Sequence, residues 1–305
     1  MQLLQQLANA LSQGAIYALI ALGYTMVYGV LRLINFAHGD IYMVGAFIGL
    51  FISRLTGALS LSQANKNVPV WMTVLVFVGA MLGSALLGMF IERFAYRPLR
   101  SAPRLTALIT AIGVSLLLEY GAQMISPDPQ PFARTLIPPT NVIESASFSL
   151  SLVQVFIVVS ALLLMVGLNV LILKTKVGRA MRAVALDRAA AQLMGIPTDR
   201  IIAFTFALGS ALAAAAGVLT SISQPAIDPL MGVQVGLRAF VAAVLGGIGN
   251  IYGAVLGGFL MAFAETATVS ANLSQFRDAV AFTILILVLI VRPSGILGRN
   301  VAEKV

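Results

Sequence analysis

Nine apolar stretches, near 8–31, 39–53, 69–91, 105–125, 151–173, 201–222, 237–248, 251–270 and 276–291, divide the chain, and the linkers between them are short. A bilayer core about 30 Å thick takes roughly 20 residues of helix to cross. Inside it only helices and closed barrels satisfy their own backbone. With 59% hydrophobic residues, 10% charged and a mean hydropathy of +0.97 over 305 residues, the chain lies far from soluble domains, which are about a quarter charged. A water-soluble enzyme is excluded. The expected fold is an all-α polytopic membrane protein of about eight to ten segments, forming one transmembrane domain over 1–305. The stretches 39–53 and 237–248 are too short to cross at about 1.5 Å per residue, so they are expected to be broken or tilted helices. The first stretch has no basic residue before it and outruns a signal core, which reads as a retained span.

The linkers set the expected orientation, because Lys and Arg accumulate in short cytoplasmic loops. Arg93, Arg97, Arg100 and Arg104 lie in one linker. Lys174, Lys176, Arg179, Arg182, Arg188 and Arg200 lie in a second, and Arg292, Arg299 and Lys304 in the tail, so these segments hold 13 of the 19 basic residues. The net charge of +8 is thereby assigned to membrane orientation and not to nucleic acid. Segment 126–150 carries only Arg134 against Asp128 and Glu144 and is rich in proline; it is expected outside the cytoplasm as an extended cap. The region around Asp228 is expected on the same side, as is the N-terminus if 39–53 crosses. Arg277 and Asp278 precede an uncharged run, Ala279 to Val291, only about 20 Å long as a helix, and so should sit at an interface or in a wet cavity.

Asn35 to Asp40, Asn-Phe-Ala-His-Gly-Asp, stands between two apolar segments. Asp40 suits the N-cap of a helix beginning at Ile41. The motif fits a polar turn at a membrane face or a discontinuous helix beside a transport path, where irregular backbone is tolerated. His38, the one histidine, fits either a proton relay or a hydrogen-bonded residue of the turn. Gly246, Gly247, Gly249 and Asn250 place four helix-weakening residues within five, a break or hinge. Gly249, Gly253 and Gly257 recur every four residues and would let another helix approach closely, as would Gly209, Ala213 and Gly217, and Gly45 with Gly49. Glu119 and Glu265 are intramembrane acids, and such groups are usually kept for a reason. Either suits a substrate ammonium, a proton, or a basic residue of a partner subunit.

Between Gly178 and Gly195 no Gly or Pro interrupts an Ala-, Arg-, Leu- and Met-rich run, so one short helix is expected, stopped by Gly195 and Pro197. Ala183, Ala190, Ala191 and Met194 would give it a small apolar face, with Arg182, Asp187 and Arg188 as polar contacts, a surface suited to another protein's groove. The absence of cysteine excludes disulfides and thiol chemistry, and one histidine argues against a metal site. There is no phosphate loop, because no Gly-Lys pair occurs. No catalytic residue is expected, and any nucleotide that drives this chain binds elsewhere.

The motifs Tyr17 to Gly29, Ile34 to Asp40, Ile91 to Arg100, Val177 to Ile196, Ala243 to Gly258 and Arg292 to Arg299 together resemble the permease of the high-affinity branched-chain amino-acid ABC importers, the LivH type. The match runs nearly end to end. The resemblance implies a type II-like ABC importer permease fold with short and broken helices, in a bacterial inner membrane. It implies a homologous second permease (LivM type), two cytoplasmic ATPases (LivG and LivF type) that hold ATP and magnesium, and a periplasmic amino-acid-binding protein. The chain itself would bind no cofactor. Arg179 to Ile196 would be the coupling helix, with Arg179, Arg182, Ala183, Asp187, Ala190 and Gly195 toward the ATPase, although the Glu-Ala-Ala of such loops is absent.

The expected function is ATP-driven import of leucine, isoleucine and valine, or of neutral amino acids more widely. The path would include Asn35, His38, Gly39, Asp40, Gly246, Gly247, Gly249 and Asn250. Beside a passive channel, two alternatives remain at this level. One is a urea or short-amide ABC permease, which resembles this chain through the same motifs. The other is a proton-coupled secondary carrier using His38, Glu119 and Glu265.

Overall fold

Helix α1 (Gln2–Leu31) and helix α9 (Thr198–Ser223) form the centre of the molecule, each with 78% of its most apolar window buried. Their sequences explain this. Both are built of small residues at helical spacing, so backbones approach: a Cβ on Gly209 of α9 would stand 3.4 Å from the Gly23 carbonyl of α1. The computed structural model describes residues 2–100, 102–145 and 148–298. Arg299 and Lys304 lie outside them.

The remaining helices surround this pair. They are α2 (His38–Leu55), the short α3 (Ala58–Gln63), α4 (Val70–Ile91), α5 (Arg104–Ile125), α6 (Leu152–Lys174), α7 (Lys176–Leu186), α8 (Arg188–Leu193), α10 (Met231–Gly246), α11 (Ile251–Ser270) and α12 (Arg277–Val291). Among the described residues seven helices are long and apolar enough to cross a membrane, with α4 running on through a π turn and a 3-10 turn to Leu99. With α2 and α10 they make nine, inside the expected range. The most exposed are α5 and α12, with 11% and 6% of the window buried, and their bare Leu, Ile and Phe side chains are what a lipid or subunit boundary requires.

One end of the bundle carries a cap. The Pro-rich segment extends as expected: β2 (Asn141–Ser145) and β3 (Phe148–Ser151) form an antiparallel hairpin, and β1 (Gln130–Pro131) pairs with β4 (Ala226–Ile227). Gln5 of α1 accepts from the Ser149 amide and Arg54 at the end of α2 donates to Gln130, so the start of α1 and the end of α2 share the cap's face. The basic linkers gather at the opposite end.

Three expectations about the elements need correction. Helix α2 starts at His38 rather than Ile41, because the Asn35 carbonyl accepts the His38 amide at 3.1 Å. Asp40 is therefore a first-turn residue and not the cap. The stretch read as 237–248 is α10, which begins six residues earlier; Gln234 and Arg238 dilute its hydropathy but belong to the helix. The single helix expected between Gly178 and Gly195 is two. Asp187, extended at φ −151°, ends α7 and accepts the Ala190 amide at 3.0 Å as the N-cap of α8, the competition with the backbone that makes Asp a helix breaker as well as a cap.

Candidate functional site

The chain leaves α1 through a buried turn. The Arg32 amide closes on Tyr28, and the Asn35 side chain accepts the Tyr96 hydroxyl at 2.6 Å, which ties the turn to the end of α4. Helix α2 then starts inside the bundle. The His38 ring packs edge-on to Tyr24 at 4.7 Å against Gly23, and its Nε2 has no hydrogen-bond partner among the described residues. At that atom the ring is held by packing. Asp40 is 2% exposed and accepts the Ser115 hydroxyl of α5.

This turn meets α10 directly. A Cβ on Gly236 would lie 2.6 Å from the Gly39 Cα, so the crossing exists only because both residues are glycine. Phe36 and Phe240 pack at 5.8 Å, as do Tyr24 and Phe240. Thr25 Oγ1, Asn35 Nδ2, Tyr42 Oη and Ser84 Oγ are buried in the same layer of α1, α2 and α4 without partners among the described residues.

The second predicted path motif follows α10 and comes beside the end of α1, with Gly249 near Tyr28 and Gly29. Gly247 and Gly249 have φ of +107° and +94°, conformations that glycine adopts readily. The expected hinge, however, is clamped. Residues 292–298 fold back as a strap: Ile296 and Leu297 donate to the Leu245 and Gly246 carbonyls at 2.9 Å each. Asn250 donates to the Leu297 carbonyl at 2.7 Å while capping α11 at the Tyr252 and Gly253 amides. Of the Gly249, Gly253 and Gly257 stripe, Gly249 lies in the turn; Gly253 and Gly257 pack on the α10 carbonyls of Gly246 and Ala242, and Gly258 on Ala18 of α1.

The two intramembrane acids differ. Glu265 is fully buried and paired within the chain: Arg277 at 2.9 Å, Arg238 at 3.7 Å, the Tyr17 hydroxyl at 2.9 Å and the Gln13 amide at 3.2 Å. The reading that it waits for a partner subunit's base is overturned, because α10 and α12 supply two. Arg277 and Asp278, placed near an interface by the sequence, lie in this network, Asp278 holding Arg238 at 2.6 Å. Glu119 is half-buried on α5, one helical turn beyond Ser115 and so on the face turned to α2. It has no ion pair among the described residues.

At the opposite end from the cap, α7 and α8 form a projecting corner. Arg182 donates to the Ile172 carbonyl and pins α7 to α6, while the residue itself stays exposed. Ala191 is buried and Ala183 half-buried. Met194 and Ala190 of the expected apolar face are exposed, Met194 by 82%, and Leu186 and Leu193 join them at 83% and 89%; Arg179, Asp187 and Gly195 are also exposed.

Residues 6–289 match the family model described as branched-chain amino acid transport system permease component. The chain belongs to this family. The high-affinity branched-chain amino acid transport system permease protein BraD of Pseudomonas aeruginosa is 45% identical over 305 residues, covering 99% of this chain and 98% of that one. Its counterpart LivH of Escherichia coli K12 is 42% identical over 99% and 97%, and a probable LivH permease of Methanocaldococcus jannaschii 29% over 96% and 91%. The chain is thus a multi-pass permease of the ABC importer class, as the motifs implied.

The permease also holds an ionic network that sequence reasoning missed. Arg100 pairs with Glu92 and, at 2.5 Å, with Asp199; Arg97 pairs with Asp199, and Arg188 of α8 stands 3.7 Å from it. The network ties the end of α4 to the start of α9 and to the projecting corner. The available signal was an acid just inside each span bordering an Arg-rich linker.

Proposed function

We propose that this permease is the membrane subunit of an ATP-driven importer of leucine, isoleucine and valine, or of neutral amino acids more widely. The observation that carries the reading is end-to-end identity of 45% with a relative named for that transport. The substrate path runs where the α1–α2 turn meets α10, beside the clamped glycine turn, and is completed by a homologous second permease. Two ATPase subunits bind ATP and magnesium; this chain binds neither. They dock on the α7–α8 corner, whose bare Leu186, Leu193 and Met194 suit an apolar groove. The protein lies in a bacterial inner membrane, with the basic linkers and the chain's tail cytoplasmic by charge and the cap facing a binding protein that delivers the amino acid.

The test is reconstitution in proteoliposomes with the second permease, the ATPases and the binding protein. Leucine uptake is expected to require ATP and every partner. Uptake by this chain alone, driven by a pH gradient, would replace the reading with a secondary carrier. Uptake of urea or short amides but not of leucine would reassign the cargo.

A further inference from the structure

Beside the ionic network a recess of 340 Å³ opens on the basic face, lined by Arg97, Arg100, Arg188 and Asp199. Its charge does not balance. Three guanidiniums face one carboxylate, and adding Glu92, which Arg100 holds, still leaves an excess positive charge. Donors are in larger surplus: each guanidinium has five N–H groups. Arg97 and Arg100 donate to Asp199, and Arg100 to Glu92. Arg188 makes no hydrogen bond among the described residues, and Nε of Arg100, a side chain only 6% exposed, has no acceptor. Planar guanidiniums in a recess are the usual means of holding a phosphate.

The position narrows the ligand. Arg97 closes the long helix that begins at Val70, and the turns before it expose Phe90 and Phe94, 58% and 65% accessible, with their rings 4.5 Å apart. The recess therefore sits at the bilayer boundary directly above an apolar strip. A carboxylate from a soluble partner would satisfy the arginines and leave the strip bare. We infer that the recess binds the phosphodiester headgroup of an anionic phospholipid, whose acyl chains cover Phe90 and Phe94. Basic pockets between membrane helices are a recognised mode of such binding. The site would couple lipid composition to the corner on which Arg188 sits, and the inference does not depend on the cargo.

Native mass spectrometry of the full-length permease tests it, with phosphatidylglycerol, phosphatidylcholine and inorganic phosphate as probes. Phosphatidylglycerol is expected to be retained and phosphatidylcholine lost. R97Q and R188Q should each weaken retention about fivefold, while R93Q, an exposed arginine outside the lining, should not. Because Arg188 makes no hydrogen bond, R188Q should elute and melt as the native protein does, so a loss there cannot be laid to misfolding. Equal retention of both lipids, or undiminished retention in R188Q, overturns the proposal. Inorganic phosphate held as firmly as phosphatidylglycerol overturns the lipid assignment, and so does displacement of the lipid by an ATPase subunit whose capture R188Q abolishes.

Discussion

The Arg277 guanidinium reaches the fully buried Glu265 carboxylate at 2.9 Å, joining the first turn of α12 to α11. Arg238 of α10 and Tyr17 of α1 complete the site, so four helices that are separate in sequence converge on one carboxylate. Breaking one partner of a buried pair costs about 3–5 kcal/mol, because the other charge is left uncompensated. E265A should lower the unfolding temperature of the purified permease sharply, and R277M less so, since Arg238 remains. An E265Q/R277M double variant should recover part of the loss.

The crossing of α2 and α10 predicts an asymmetry among glycines. G236A puts a methyl 2.6 Å from the Gly39 backbone, which cannot yield as a side chain would, and overpacking of that kind costs about 1–3 kcal/mol. G113A and G167A meet nothing within 4 Å and should stabilise their helices by about 0.5–1 kcal/mol. Thermal unfolding of the three variants in one detergent separates them, and equal destabilisation would refute the crossing.

Replacing Leu186, Leu193 and Met194 by serine should leave the fold intact, since all three side chains are over four-fifths exposed. Co-purification of ATPase subunits should nevertheless fall. Unchanged ATPase capture would mean the corner is not the docking face.

D187A tests the break between α7 and α8. Loss of an N-cap of this kind costs about 1 kcal/mol. Its effect should be local: amide exchange should quicken across Arg188–Leu193 while the global unfolding temperature barely moves. D187S, which restores an acceptor, should rescue the protection.

The strap can be tested at Asn250, whose side chain both caps α11 and holds the Leu297 carbonyl. N250A should cost about 0.5–2 kcal/mol from the cap and raise amide exchange at Ile296 and Leu297. N250D keeps the cap and loses only the strap donor. If strap protection persists in N250D, the two backbone bonds to Leu245 and Gly246 hold it alone.

The spans were legible because a run of some 20 apolar residues has few alternatives in a bilayer. The failures have physical causes. The start of α10 was lost because Gly232, Gln234 and Gly236 interrupt its apolar run, yet the two glycines are what lets α10 pack on Gly39. The α7–α8 break carries no Gly or Pro; it depends on one Asp preferring an amide at Ala190 to helix continuation. The irregular backbone read at Asn35 to Asp40 is confined to residues before His38, where α2 begins, and that read at 246–249 follows Gly246, the last residue of α10. The approaches of Gly39 to Gly236 and of Gly249 to Gly29 were invisible, since each rests on packing between residues some two hundred positions apart. The pairing of Glu92 and Asp199 through Arg100 was hidden for the same reason.

The central place of α1 and α9 bears on how the protein is made. α1 enters the bilayer before the other described helices, yet the helices that bury it start at Thr198 and Ile251. At about 5–20 residues synthesised per second, α1 waits on the order of ten seconds or more for its permanent neighbours. Its small-residue faces must be sheltered meanwhile by lipid or by the insertion machinery. Assembly is therefore a late event, in which α9 and α11 arrive at a helix already in the membrane and close the bundle around it.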